Sequence, residues 1–445
     1  MKKEILPWLI PAMILILAGL VLIGTLVYIN SAEITSRRRL PEISEIAVPR
    51  YEFSVPENTK IFALGEATHG NKDFQVLKLE VFKRLVEDYN YKVFSIEDAF
   101  GPGLKIEEYI AGRLNGVTSK ELATNLGCWI YHTEDIAAII DYMKEYNENT
   151  PEEEHLHFFG FDMQGLDGYE LEYLKTVAAD ISSEDPDKQA ELLSIVDDMK
   201  HLTEEGFEIN ASVREEYTPR FETLRKSLEG SNPTYETAMA LHTVKIATGL
   251  LTYYDRDIDG TERFYYRDRN MAENVKWYDD LLRKNGHSGI LVTAHNGHVA
   301  NIDASEELEN AYSFGGNLKN IYGDELYIVG TEFYISVDNV NDHSHFSHEY
   351  TRRDHRFTSA DPIAYQAKYM SDGSFFLDFD KVQEDTETYK LISNPNYIGL
   401  MGEGYVPEND FCADNFRTIM AVKDHFDAMI YYYKVDPIRV LDYEG

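Results

Sequence analysis

Short apolar runs alternate with amphipathic helical segments along most of the chain. Runs that resemble buried strands lie at residues 61–64, 93–96, 157–161 and 290–293, and helical periodicity follows at 74–89 and 271–284. Strands that are apolar throughout and separated by helices are typical of a parallel sheet covered on both faces. The pattern therefore predicts an α/β fold with a mostly parallel central sheet flanked by helices.

Two later regions depart from this alternation. From about residue 168 to 256, long polar helices dominate and strand signals are few, which predicts a helical insertion, or cap, on the sheet. Strand signals return at 326–337, 374–377 and 428–433. The stretch 338–372 between them is rich in polar and ring side chains and predicts a long loop, in which His343, His345, His348 and His355 are expected to be solvated.

The N-terminal end has a different character. From Ile5 to Ile29 the chain runs 25 residues without a charge, and at about 1.5 Å per helical residue this exceeds the roughly 30 Å hydrocarbon core of a bilayer. Residues 1–30 are predicted to be a transmembrane anchor, 31–50 a tether, and 51–445 the folded domain. A cleaved signal peptide is the alternative, but the run is long for one and no small-x-small cleavage site follows it.

The charge pattern bears on location and partners. Lysines precede the apolar run and three arginines follow it at 37–39, so the orientation of the anchor is weakly specified. The chain has 42 Lys and Arg against 78 Asp and Glu, a formal charge of −36, which disfavours nucleic acid as a partner. An acidic body with two distant cysteines suggests a single-pass protein of the cell membrane with an extracellular domain that contacts the lipid bilayer only through its anchor.

Ionisable residues follow each of the first four predicted strands. Glu66 and His69 follow the first, Glu97 the second, Asp162 the third, and His295 with His298 the fourth. Because the carboxyl ends of parallel strands meet at one edge of a sheet, these side chains are expected to share a crevice. We predict that His69 and His295 face each other there, although more than two hundred positions separate them in sequence.

These residue types suit hydrolysis. A histidine can take a proton from water and return it to a leaving alcohol, and a neighbouring carboxylate such as Glu66 or Glu97 can orient the ring. The chain has no Gly-x-Ser-x-Gly elbow, so direct attack by water is simpler than an acyl-enzyme. The same histidines and carboxylates also suit zinc or iron, and a metal-dependent hydrolase or peptidase remains an alternative, as does a ligand-binding protein without catalysis.

Seven segments together resemble the erythromycin esterase family. They are GEATHGNKDF, LVEDYNYKVFSIED, WIYHTEDIAAIIDYMKEYN, FFGFDMQG, YYRDRNMAENVKWY, LVTAHNGHV and FDAMIYYYKVDPIR. The likeness spans about residues 50–440 and leaves the apolar N-terminal run outside. It implies hydrolysis of a small-molecule ester, in known members the macrolide lactone whose cleavage gives antibiotic resistance, with no cofactor and no required metal.

The resemblance also assigns roles by motif position. It implies that His69 is the general base beside Glu66, and that Glu97, His295 and His298 complete the polar site. Where the family usually has an arginine, nine residues after the motif histidine, this chain has Lys78. Lysine keeps the charge but lacks the planar fork of arginine, which weakens bidentate binding. Lys78, His298 and Arg267 are the predicted substrate-binding residues.

Overall fold

The computed structural model describes most of the chain after residue 30. The described ranges are 31–204, 207–283, 289–342, 351–402, 404–406 and 416–441, together with Met13, Ile16, Leu17, Gly19, Leu20 and Val21. The predicted anchor lies outside these residues apart from the six single positions. Within the described part of the chain, no helix has the length and apolarity needed to cross a bilayer.

The described residues form strands and helices that alternate along much of the chain. The strands are β1 (Ile61–Glu66), β2 (Val93–Ala99), β3 (His157–Asp162), β4 (Ile290–His295), β5 (Leu326–Asp342), β6 (Thr351–Thr358), β7 (Ser374–Asp378), β8 (Asn396–Gly399), β9 (Gly404–Tyr405), β10 (Arg417–Met420) and β11 (Ala428–Val435).

The α-helices are α1 (Ser31–Ser36), α2 (Ile43–Ile46), α3 (Lys72–Tyr89), α4 (Phe100–Ile110), α5 (Ser119–Ala123), α6 (Glu134–Glu148), α7 (Gly168–Ile181), α8 (Pro186–Lys200), α9 (Ala211–Glu229), α10 (Tyr235–Tyr253), α11 (Gly260–Arg283), α12 (Asn296–Val299), α13 (Phe314–Tyr322) and α14 (Glu387–Ile392). The 3₁₀ helices are Trp129–Tyr131, Glu152–Glu154, His201–Thr203, Gly323–Glu325, Ala364–Tyr369, Phe379–Lys381 and Val422–Asp424.

The central sheet is mostly parallel, as the sequence predicts. Its strand order is β3-β2-β4-β1-β5-β11-β7, and the neighbours from β3 through β11 pair in parallel. Only β7 runs antiparallel within this order. Strand β1 therefore lies between β4 and β5, with Gly65 opposite Ala294 and Glu66 opposite His295.

Helices cover both faces of the sheet and create two hydrophobic cores. Ile61 and Ala63 of β1 enter one core, whereas Phe62 and Leu64 enter the other. Because successive strand residues point to opposite faces, a strand buried on both sides is apolar at every position. This explains why the first four strands can be recognised as continuous apolar runs.

Residues 168–253, within the predicted insertion, form the four helices α7 to α10. Their buried side chains belong to the same core as Ile61 and Ala63 of the sheet, with Leu174, Phe221 and Leu250 fully buried. The insertion therefore packs on one face of the sheet as part of the domain.

The predicted loop at 338–372 is wrong in its first half. Strand β5 continues to Asp342, and β6 returns antiparallel to it, pairing Asp338 with His355 and Ile335 with Thr358. From Ile335 onwards, burial along β5 alternates between buried and partly exposed residues. Asp338 and Asp342 occupy buried positions, and these charged side chains mask the strand pattern. His343, His345 and His348 lie outside the described residues.

The predicted tether is packed against the domain. Leu40 and Ile43 are buried, and the backbone N–H of Leu40 donates to Gln366 Oε1 at 2.9 Å. Val48 forms a bridge to Phe376 of β7. From Leu40 onwards, the segment thus belongs to the domain surface.

Gly65 provides a test of how closely β1 approaches α12. A Cβ at this position would overlap Asn296 Oδ1 and lie 2.6 Å from Val299 Cγ2. We expect Gly65→Ala to lower the free energy of unfolding by about 1–3 kcal/mol through overpacking, measured by urea unfolding. Gly168→Ala is the control, because a Cβ there meets nothing within 4 Å. Equal effects of the two substitutions would contradict the close approach.

Candidate active site

The carboxyl ends of β1, β2 and β4 bring the predicted site residues together. Glu66 ends β1 and His295 ends the neighbouring β4 in parallel register. The rings of His69 and His295 lie 4.8 Å apart between centroids. This is the proximity that the sequence predicts, and it follows from the insertion of β1 between β4 and β5.

Glu66 and His69 form a buried pair that opens towards solvent at the histidine. His69 Nδ1 lies 2.7 Å from Glu66 Oε1, and the His69 side chain is 12% exposed against 3% for Glu66. On its other oxygen, Glu66 accepts a hydrogen bond from Lys78 Nζ at 2.5 Å. Burial alone would raise the pKa of Glu66, but the charges of Lys78 and His69 outweigh it and lower that pKa to about 2. Glu66 is therefore ionised at neutral pH.

Lys78 contacts protein groups. Its side chain is 2% exposed, and Nζ also donates to Gln75 Oε1 at 2.8 Å. The ammonium lies 5.2 Å from the centre of the Tyr131 ring. In this arrangement Lys78 neutralises and orients Glu66 from inside the domain, although the sequence predicts it to bind substrate.

The loop that carries His69 is held by β5. Thr68 Oγ1 donates to Asp338 Oδ1 at 3.0 Å, and the backbone N–H of Ala67 donates to Thr331 Oγ1 at 3.0 Å. The carbonyl of Gly70 accepts from the backbone N–H of Asn339 at 3.0 Å. These bonds on both sides of His69 position its ring over the end of the sheet.

A second charged group surrounds Arg267 of α11. Its guanidinium binds Asp162 in a bidentate pair, with Nε 3.0 Å from Oδ1 and Nη2 2.7 Å from Oδ2, and Nη2 also lies 2.7 Å from Glu97 Oε1. Burial raises the pKa of Glu97, but His298, Arg267 and His69 lower it well below its ordinary value. Arg267 is 12% exposed, so it lies inside the site, where its contacts are with protein carboxylates.

His298 joins this group through both ring nitrogens. Nδ1 lies 2.7 Å from Asp268 Oδ1, while Nε2 lies 3.2 Å from Glu97 Oε1 and 3.0 Å from Arg267 Nη1. Burial lowers the pKa of His298, but Asp268 and Glu97 outweigh both burial and Arg267, so that pKa is raised. When it is protonated, the ring can donate to the carboxylates of both Asp268 and Glu97, and the guanidinium of Arg267 lies beside it.

The surroundings of His295 lower its pKa, whereas those of His298 raise the pKa of His298. Its Nδ1 accepts the backbone N–H of Gly297 at 3.2 Å, and Glu97 Oε2 accepts the backbone N–H of His295 itself at 2.9 Å. Burial and the neighbouring histidines lower the pKa of His295 to about 3, so the ring is neutral at pH 7. With Nδ1 accepting, Nε2 bears the proton, and this buried atom has no hydrogen-bond partner among the described residues.

The site carboxylates are paired with cations of the protein. Glu66 is bound by Lys78, and Glu97 and Asp162 are bound by Arg267. Among the described residues, no three His, Cys, Asp or Glu side chains are grouped so that they could hold a metal ion.

Sequence reasoning missed several neighbours of the site. Asp268 is fully buried and binds both His298 and the backbone N–H of Phe314. Tyr131 is fully buried in a 3₁₀ helix, close enough to Glu66 and Glu97 for their charges, after burial, to raise its pKa. Both residues lie in segments that resemble the family, Asp268 in YYRDRNMAENVKWY and Tyr131 in WIYHTEDIAAIIDYMKEYN, but neither pattern assigns them to the site.

A comparison with protein families shows which family the chain belongs to. The sequence profile described as erythromycin esterase matches residues 86–435, which is more than half of the chain. The chain belongs to the erythromycin esterase family. The matched range includes Glu97, Arg267, His295 and His298 but begins after the loop that carries His69.

Two sequence relatives are distant. A Bacillus subtilis protein named as a hydrolase, YbfO, is 27% identical over 276 residues, which cover 56% of this chain and 58% of that protein. Erythromycin esterase type II of Escherichia coli is 24% identical over 309 residues, covering 62% of this chain and 70% of the relative. The chain thus spans a little over half the length of the first relative. Family membership and these names support a hydrolase.

Solved structures share the fold at low identity. The crystal structure of a Bacillus cereus protein has a TM-score of 0.70 at 19% identity, covering 92% of this chain and 99% of that one. The structure of a protein named for succinoglycan biosynthesis has a TM-score of 0.70 at 19% identity, covering 90% of this chain and 97% of that one. A mutant of the erythromycin esterase EreC in its open conformation has a TM-score of 0.60 at 14% identity, covering 87% of this chain and 93% of that one.

The Lys78–Glu66 pair generates a pH-dependent prediction. In Lys78→Met, only His69 is left to offset the burial of Glu66, so we expect the pKa of Glu66 to rise from its value of about 2 in the unaltered protein. Ionisation of Glu66 stabilises the unaltered protein above its ordinary pKa of 4.5, and this contribution is lost as pH falls towards 2. The stability difference between the two proteins should therefore increase with pH, reaching about 3–5 kcal/mol at neutral pH.

Urea unfolding at several pH values measures this difference. Lys120→Met is the matched control, because Lys120 pairs with Glu134 where both side chains are at least 60% exposed, and such a pair contributes about 0–1 kcal/mol. A Lys78→Met protein as stable as this control at neutral pH would contradict the role assigned to Lys78.

Proposed function

We propose that this protein hydrolyses an ester or lactone by direct attack of water, with His69 as the general base. The observation that carries the proposal is the 2.7 Å contact between Glu66 Oε1 and His69 Nδ1 beside the His295 ring. Ionised Glu66 holds the proton on Nδ1 of His69, so Nε2 has a free lone pair for a proton from water. The partial exposure of His69 gives water access to it.

His295 is suited to stabilise the developing oxyanion. Its neutral ring bears a proton on Nε2, and that atom has no partner among the described residues. A donor that is already oriented and dehydrated stabilises the tetrahedral intermediate more strongly than water does. His295 therefore donates to the substrate carbonyl oxygen while His69 activates the water.

His69 and His295 together account for the proton transfers and the oxyanion of the proposed reaction. The water oxygen bonds to the ester carbon as His69 Nε2 takes its proton, and the electron pair of the C=O bond moves onto the oxygen facing His295. Collapse of this intermediate breaks the bond to the leaving oxygen, which receives the proton from His69. The products are a carboxylic acid and an alcohol, or a single hydroxy acid if the substrate is a lactone.

The surroundings of the site favour a bulky apolar substrate. Phe264 stacks on His298 at 5.1 Å between ring centres and is 39% exposed. Tyr254 is also 39% exposed and donates to the backbone carbonyl of Gln164 at 2.5 Å. Exposed rings next to the charged groups of the site suit a large apolar ring that carries one polar bond. We propose a macrolide lactone as the substrate class, in line with the name of the Escherichia coli relative.

His69→Ala should reduce ester or macrolide hydrolysis by about 10²–10⁴-fold, because the variant lacks the general base. Purified protein is assayed against a panel of macrolides and simple esters, and circular dichroism checks folding. The control is His201→Ala, which removes a histidine that is 49% exposed and paired with Glu204 in the helical insertion. Unchanged turnover in folded His69→Ala would contradict the mechanism.

We further propose that residues 5–29 anchor the protein in the cell membrane with the domain outside. The uncharged length of the segment supports this, and the described large side chains within it, such as Met13, Ile16 and Leu17, are at least 60% exposed.

The full-length protein is expected in the membrane fraction after alkaline extraction, and its domain should be accessible to protease on intact cells. The control is a chain that starts at Ser31. Release of both proteins by alkali would contradict the anchor, and protection of the domain on intact cells would contradict the orientation.

A further inference from the structure

A polar cavity lies at the edge of the sheet opposite to the candidate active site. It has a volume of about 620 Å³ and lies beside His157, where β3 begins. A neighbouring cavity of about 290 Å³ shares four of its residues: Glu107, Arg113, Glu152 and His157. Because the active-site groups lie at the carboxyl ends of the strands, ester hydrolysis uses neither cavity.

The larger cavity is strongly acidic. Four glutamates line it, Glu107, Glu152, Glu153 and Glu236. Arg113 is its one described arginine or lysine, and it forms two hydrogen bonds of 2.8 Å with Glu108. The charge of Arg113 is thus offset by a neighbour, and the cavity keeps an excess of negative charge that favours a cation.

One phenol hydroxyl at this cavity, that of Tyr235, has no hydrogen-bond partner among the described residues. Its Oη atom is buried. Burial and then the charge of Glu107 raise the pKa of Tyr235, so its hydroxyl is neutral. Buried polar groups are normally paired, so an unpaired hydroxyl at a cavity points to a ligand.

The base of the cavity is rigid. Glu107 is 3% exposed and binds His157 Nδ1 at 2.8 Å through Oε1, while Oε2 accepts the backbone N–H of Phe158 at 2.9 Å. Tyr235 begins α10, and the Thr234 capping box fixes that end of the helix. A carboxylate and a hydroxyl are therefore held in place before a ligand arrives, which lowers the entropic cost of binding.

We propose that this cavity binds an organic ammonium ion. The glutamates neutralise its charge, and the Tyr235 hydroxyl accepts one of its N–H groups. The volume of about 620 Å³ suits a small organic molecule. This binding is independent of ester hydrolysis.

Calorimetric titration of the full-length protein with spermidine tests the proposal. At physiological salt we expect one saturable site for spermidine. Tyr235→Phe should lower its affinity about tenfold because a hydrogen bond to a charged group is lost, and Glu236→Gln should lower it about tenfold because a pairing charge is lost. Tyr235→Phe removes only the hydroxyl, and since that group has no partner among the described residues, folding is expected to be unaffected.

Two matched variants separate a site from general attraction to an acidic protein. Tyr327→Phe removes another buried hydroxyl without a described partner, and Glu262→Gln removes a carboxylate from the first turn of α11, as Glu236→Gln does in α10. Neither residue lines the cavity, and both variants should bind spermidine normally. Equal weakening by cavity and control variants, absence of saturation at millimolar spermidine, or tighter binding of magnesium than of spermidine would each overturn the proposal.

Discussion

The candidate active site depends on one buried positive charge. Lys78 is almost fully enclosed and keeps Glu66 ionised against the cost of burial. Ionised Glu66 in turn fixes the orientation of His69. Removing a charge from water is expensive unless a partner compensates it, so the ammonium, the carboxylate and the imidazole are stable only as a set. The hydrophobic cores on both faces of the sheet hold this set in place.

Arg267 has the equivalent role for the carboxylates of β2 and β3. It gathers Asp162 and Glu97, and Glu97 also accepts the backbone N–H of His295. Lys78 and Arg267 differ in geometry. The planar guanidinium of Arg267 makes a bidentate pair, whereas the lysine provides a compact charge for a single oxygen. Lys78 also donates to Gln75 Oε1 at 2.8 Å.

The sequence predicts the first four strands and the polar rim because these strands are buried on both faces and end at charged residues. The approach of His69 to His295 follows from that topology. Asp268 could not be assigned in this way, since it lies in α11 among charged residues typical of an exposed helical surface. The continuation of β5 was missed because Asp338 and Asp342 are charged residues at buried strand positions. Contacts of Lys78 and Arg267 with protein carboxylates depend on packing that periodicity does not describe.

The position of β1 in the sheet affects synthesis of the chain. This strand carries Glu66 and is made early, yet both of its neighbours, β4 and β5, come from the second half of the sequence. A nascent chain that ends before residue 290 has neither partner strand. Pairings between distant segments form slowly, and unpaired strand edges are prone to aggregation. During translation, β1 and the apolar face of α3 must therefore remain protected until the later strands emerge from the ribosome.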